Sequence, residues 1–311
     1  MHEEPERDAA AEPRTAWCGR REARELEQEQ GCHHGRSGPY HADMGRSGTL
    51  LLLAAMAHAG PWTRGAGEAY VKVEEGVFLA DEYVDPRGQS QADSSYTGTT
   101  TTLYAEVGLG ADFQAVISVP HVVGRNERPN GTEYLSSSGG DATFGLQWSS
   151  PWLDWPHALR VDAKVPLYDA KGSLGQEAQY FPAAGDGQVD ATVWLSVGDG
   201  WGDAYGFAEV GHRFRTEIFA GDGEDRRYGD GFAANGQLGY TLWGVTAAAN
   251  LSAVVPYEED DSTKGTVDVG PSIYARVGAG LALEARYGLL VWTRNASPGQ
   301  AAGVGVSYDL R

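Results

Sequence analysis

From residue 68 onward the chain alternates apolar with polar or small residues in one segment of about ten residues after another, the period of strands with two unlike faces. Leu103, Ala105, Val107 and Leu109 interleave with Tyr104, Glu106 and Gly108. Leu159, Val161, Ala163, Val165 and Leu167 interleave with Arg160, Asp162, Lys164 and Tyr168. Val189, Ala191, Val193, Leu195 and Val197 alternate with Gln188, Asp190, Thr192 and Ser196, and the pattern returns from Val267 to Val277. Twelve such segments lie near 68–80, 96–108, 112–122, 140–149, 158–168, 187–198, 203–216, 228–241, 244–256, 265–277, 280–292 and 300–310. No stretch past residue 67 is apolar enough for a spanning helix, whereas ~9 to 11 tilted residues carry a strand across a bilayer.

The connections alternate too. Gly108 to Asp112, Gly198 to Asp203, Leu242 to Gly244 and Gly278 to Gly280 are tight, and Ser149 to His157 is only slightly looser. Polar stretches at 81–95, 123–139, 169–186, 217–227 and 257–264 each follow an odd-numbered segment. Trp148, Trp152, Trp155, Trp201, Tyr240 and Trp243 cluster at the tight turns, and Tyr168, Phe181, Phe219, Tyr228, Tyr257 and Trp292 near the opposite ends. A soluble sandwich also alternates, but nothing in it keeps loop lengths alternating. The pattern therefore predicts an all-β fold, a twelve-stranded antiparallel up-and-down transmembrane β-barrel with aromatic girdles. It places the protein in the outer membrane of a Gram-negative bacterium, with short turns and both termini periplasmic.

If the apolar set faces lipid, Glu106, Arg160, Asp162, Lys164, Asp190, Glu209, Arg213, Arg215, Asp268, Arg276, Glu284 and Arg286 face the lumen. Such a lining is either an electrostatic filter or a paired network that fills a narrow barrel, and the spacing does not decide between them.

The chain ahead of the first strand reads differently. From Met44, one arginine precedes an apolar run from Leu50 to Ala57 and a small-x-small end at Ala57-His58-Ala59, which predicts a signal peptide over 44–59 with cleavage after Ala59. Residues 1–43 mix charges without periodicity and are expected to be an unstructured extension or a start assigned too early, leaving 60–311 as the barrel. Cys18 and Cys32 both fall before that cleavage point, so the mature chain has no thiol for a disulfide or a cysteine zinc site. The Cys32-His33-His34 cluster stands in a patternless segment, and no metal or cofactor is expected.

Composition agrees with many short strands and turns: 43 glycines, 15 tyrosines and nine tryptophans. A formal charge of −19, from 24 basic and 43 acidic residues, repels phosphate backbones and excludes nucleic acid as a partner.

Leu103 to Pro120, LYAEVGLGADFQAVISVP, resembles the second hairpin of an outer-membrane barrel family named for the meta-pathway of phenol degradation. Gly140-Asp141, Lys164-Val165-Pro166, Gly185-Asp186-Gly187-Gln188-x-Asp190 and the strand from Ala208 through Glu209 and Arg213 to Arg215 are similar to that family's pattern, in order, over roughly 68–310. The resemblance implies an outer-membrane channel or transporter for passive passage of a small solute, hydrophobic or aromatic. Against the common pattern of outer-membrane proteins, the chain ends Asp309-Leu310-Arg311 rather than on an aromatic residue for the barrel-insertion machinery to read.

Two other functions fit the same barrel. One is a non-conducting structural or surface-binding barrel closed by its own salt bridges. The other is an outer-membrane lipase or esterase, but His212 shares its strand face with Ala208, Val210 and Phe214, with no serine two residues away, so no enzyme is expected. Acidic runs at Glu258, Glu259, Asp260 and Asp261, and around Asp222, Glu224, Asp225 and Asp230, are either solvated loop charge or sites for cations that bridge lipopolysaccharide. The expected surroundings are outer-membrane lipid and lipopolysaccharide.

Overall fold

In the computed structural model of the chain, residues 60–84, 87–91, 95–150, 152–169, 181–219, 228–258 and 263–311 are described. The expected signal peptide, the segment before it and most of the acidic runs lie outside them. The strands are β1 (Ala69–Ala80), β2 (Tyr83–Val84), β3 (Ser90–Gln91), β4 (Ser95–Gly110), β5 (Phe113–Glu127), β6 (Glu133–Gly139), β7 (Asp141–Ser149), β8 (His157–Pro166), β9 (Gln188–Trp201), β10 (Ala204–Phe219), β11 (Gly231–Leu242), β12 (Val245–Pro256), β13 (Gly265–Gly278), β14 (Leu281–Arg294) and β15 (Gln300–Leu310).

Each long strand pairs antiparallel with the next, and the ring closes at β1, whose Val73 lies opposite Val306 of β15 on one side and Leu103 of β4 on the other. Both β6 and β7 pair with β5 and form one interrupted strand, so the closed barrel has twelve antiparallel strands. The interruption has a local cause. Pro120 of β5 accepts a bond from the Gly140 N–H at 2.9 Å but has no N–H of its own to return, and the ladder breaks there.

Burial alternates with the opposite sense from that of a water-soluble sheet. In β1 Lys72, Glu74 and Phe78 are buried while Val73, Val77 and Leu79 are exposed, and large apolar side chains stay exposed around the whole ring. A surface of this kind suits hydrocarbon and leaves the polar face inside.

At one end the strands join by two-residue turns except between β7 and β8, and three of these turns, Ala111-Asp112, Trp243-Gly244 and Ala279-Gly280, hold both residues at positive φ, the backbone that matches strand twist. Trp152, Trp155, Trp201, Tyr240 and Trp243 are exposed there, Trp243 by 93%. The other end carries the longer connections, including the small β2–β3 hairpin, which is bridged to the wall through Val84 and Ala296. The stretch 123–139, read from sequence as a loop, is mostly strand: β5 runs to Glu127 and pairs with β6 around a short turn. Its outward residues His121, Arg125 and Glu127 are polar, so the apolar-polar contrast fades while burial still alternates and the backbone ladder continues.

Of the aromatics expected in a second girdle, Tyr257 and Trp292 are exposed, but Tyr168 and Tyr228 turn inward. The Tyr168 hydroxyl accepts a bond from the Gly187 N–H at 2.6 Å, and the Tyr228 ring lies 4.6 Å from the Arg215 guanidinium. Inside the half nearer the long connections, Phe78, Ala80, Tyr96, Val122, Ala184, Leu290 and Ala301 form an apolar cluster with Tyr168 packed against it.

Candidate functional site

Three tiers of polar side chains fill the barrel. In the tier nearest the short turns, residues 60–68 lie against the inner wall. Gln147 Nε2 donates to the Gly60 carbonyl at 2.9 Å, Ser149 Oγ to the Pro61 carbonyl at 2.8 Å, and the Arg64 N–H to Gln114 Oε1 at 3.0 Å. The Arg64 guanidinium binds Glu106 and Asp309, each at 2.7 Å, tying β4 to β15, while Trp62 stands edge-on to Tyr205 at 6.4 Å and Phe207 at 6.2 Å. Sequence reasoning missed this segment because it has no strand period.

Beside it lies a cavity of about 620 Å³. One wall is an amide and hydroxyl ladder over β10–β13: the Tyr205 hydroxyl donates to Gln237 at 2.6 Å, Gln237 to Asn250 at 2.6 Å, and Asn250 to Ser272 at 2.9 Å. The facing wall is charged and paired. Lys72 lies 3.0 Å from Glu74 and 3.2 Å from Glu284, Arg286 binds Glu74 at 2.5 Å, and the Tyr70 hydroxyl donates to Glu284. Gly303 leaves this pair its space, since a Cβ there would stand 3.1 Å from Arg286 Nε. Lys72 and Glu74 went unrecognised as lumen residues because Glu74-Glu75 breaks the alternation; Glu75 turns outward to accept from Thr101 at 2.5 Å.

The middle tier is centred on Glu209, whose side chain is fully buried. It accepts from Arg160 at 3.0 Å, from Ser196 at 2.6 Å and from Asn235 at 3.3 Å, and Ser252 donates on to Asn235 at 3.0 Å. Arg160 also pairs with Asp162 at 3.2 Å and lies 5.3 Å from the Trp194 ring. Asp268, 2% exposed, stands apart: neither carboxylate oxygen has a hydrogen-bond partner among the described residues.

In the third tier Lys164 binds Asp141 at 3.0 Å and Asp190 at 2.8 Å and also meets Asp186. Arg213 and Arg215 share Asp190 and Asp186, with Arg215 Nε 3.2 Å from Asp190. Asp141 and Asp186 were read from sequence only within the family-like Gly140-Asp141 and Gly185-Asp186 motifs and not as lumen charges; the first opens a strand at the wall's break and the second sits in the connection before β9, outside any periodic run.

Of the twelve charges singled out by parity, ten thus join one of these tiers, and Asp268 lacks a partner. Arg276 lies at the short-turn rim of the cavity and forms no side-chain hydrogen bond or ion pair among the described residues. His212 is on the outer face, with Nδ1 2.9 Å from the Tyr257 hydroxyl and Nε2 3.6 Å from Asp230, so neither nitrogen meets a serine.

No family profile matches the sequence, and no curated protein is significantly similar to it. Among solved structures, the chain is similar to the crystal structure of an outer membrane channel from Pseudomonas putida F1, with TM-score 0.63 at 13% identity over 81% of this chain and 99% of that one. The fold is that of an outer-membrane barrel. Slighter likenesses extend to the translocator domain of the autotransporter NalP from Neisseria meningitidis, with TM-score 0.46 at 12% identity over 79% of this chain and 89% of that one. The Ralstonia pickettii toluene transporter TbuX aligns with TM-score 0.42 at 9% identity over 80% and 90%.

Proposed function

We propose that this barrel is a bacterial outer-membrane channel or transporter that passes a small hydrophobic or aromatic solute, without catalysis or energy coupling. The observation that supports this reading is the cavity of about 620 Å³, walled by Trp62, Tyr70, Tyr104, Tyr205 and Phe207 together with polar groups that bond one another. Its volume is within the range of ligand-sized pockets, ~300 to 1,000 Å³. In this reading residues 44–59 direct secretion, the short turns and both termini are periplasmic, lipid and lipopolysaccharide surround the exposed apolar belt, and the insertion machinery acts on β15. The twelve charges named above line or close the solute's path.

A second reading, a non-conducting structural barrel, is favoured by the ion-paired third tier and the apolar cluster, which together fill the long-connection half. Single-channel recording of the folded protein in a planar bilayer, with heat-modifiable migration as the check on folding, separates the two. Discrete conductance steps are expected. A folded barrel that neither conducts nor lets aromatic solutes into vesicles would establish the structural reading instead.

A further inference from the structure

The cavity's unsatisfied chemistry is narrower than its list of polar residues suggests. The ladder from Tyr205 through Gln237 and Asn250 to Ser272 bonds to itself and holds few free groups for a sugar or another polyhydroxylated solute. Charges on the facing wall are likewise committed: Arg64 to Glu106 and Asp309, Lys72 to Glu74 and Glu284, and Arg286 to Glu74. The Glu68 carboxylate accepts the Gly65 N–H of its own turn at 3.0 Å. What remains open to a solute is a set of aromatic faces, Trp62, Phe207 and Tyr274 among them, and the Arg276 guanidinium.

Arg276 also borders a second cavity. With Tyr274 it lines both this cavity and a second one of about 460 Å³ at the short-turn rim, bounded by Gly278, Leu281, Tyr308 and Arg311. The two cavities therefore share these two residues as their common border. A guanidinium offers two parallel donors that match a planar carboxylate.

We propose that the cavity takes a small aromatic monocarboxylate, its ring among the aromatic side chains and its carboxylate on Arg276. This rests on the reading that the barrel passes small aromatic solutes and narrows it to anions, in a chain whose formal charge of −19 would otherwise disfavour them. Among the described residues the one unpaired guanidinium of the cavity matches one negative charge.

The test is calorimetric titration of the purified, folded barrel with benzoate, phenol and acetate, on the native protein and on Arg276→Gln and Arg276→Lys, with planar-bilayer conductance recorded for each. Benzoate is expected to bind at least about tenfold more tightly than phenol or acetate. Arg276→Gln should lose about that factor for benzoate alone, the worth of one charge-assisted contact, and Arg276→Lys should recover part of it. Arg276 is exposed at the end of β13, so both variants should fold. Benzoate binding that is unchanged in Arg276→Gln, or phenol binding equal to that of benzoate, overturns the carboxylate assignment and leaves the passage reading standing. Binding of none of the three by a conducting barrel has the same meaning, whereas no binding and no conductance removes both.

Discussion

Arg160 and Glu209 face each other inside the barrel at 3.0 Å, the carboxylate wholly removed from solvent and held by Ser196 and Asn235 as well. Removing one partner of such a pair strands a buried charge. Arg160→Met should therefore cost about 3–5 kcal/mol in urea unfolding from lipid vesicles. Adding Glu209→Leu should restore most of that, though not all, because Ser196 and Asn235 then lose their acceptor. A double variant no more stable than the single one would contradict the pairing.

The third tier makes a prediction about closure. Arg213 and Arg215 share Asp186 and Asp190 with Lys164, so replacing both arginines by glutamine leaves Lys164 as the one cation in contact with three carboxylates once Asp141 is included, with Lys264 farther off. The temperature of heat-modifiable unfolding should fall, and ion leakage through vesicles carrying the variant should rise. Unaltered stability together with unaltered leakage would mean that this tier neither supports nor closes the lumen.

Leu195 tests the outer face. It lies between Leu159 and Val210 on neighbouring strands, with all three exposed. Leu195→Arg should cost about 2–4 kcal/mol of stability in lipid, the penalty for a cation near the bilayer midplane. A cost below about 0.5 kcal/mol, ordinary for a water-exposed site, would argue against a membrane-facing surface.

Arg64 anchors residues 60–68 to Glu106 and Asp309, while the strand ladder owes nothing to it. Arg64→Ala should enlarge single-channel conductance and, because it leaves the buried Glu106 carboxylate without its cation, lower the urea midpoint of the barrel. The same conductance in both proteins would show that the segment stays docked on its backbone bonds to Gln147, Ser149 and Gln114.

The strand count, the alternation of turn lengths and the inward direction of Glu209, Arg213 and Arg286 were legible because a closed antiparallel barrel writes each residue's face into its parity. Where two charges stand in a row, as at Glu74-Glu75, or where the outward residues of a strand are themselves polar, as His121, Arg125 and Glu127 are beyond Pro120, parity carries no contrast and the reading failed.

By itself, then, the sequence determined the class of fold and the face on which most side chains lie, since both follow from local period and connection length. Only the tertiary structure decided which charges meet. Arg160 and Glu209 are 49 residues apart, and Arg64 and Asp309 are 245 apart. It also decided that Tyr168 and Tyr228 turn inward rather than join a girdle, and that Arg276 has no side-chain partner among the described residues. The physical reason is that pairing inside a barrel depends on strand register and on chords across the lumen, and neither leaves a trace in the order of residues along a single strand.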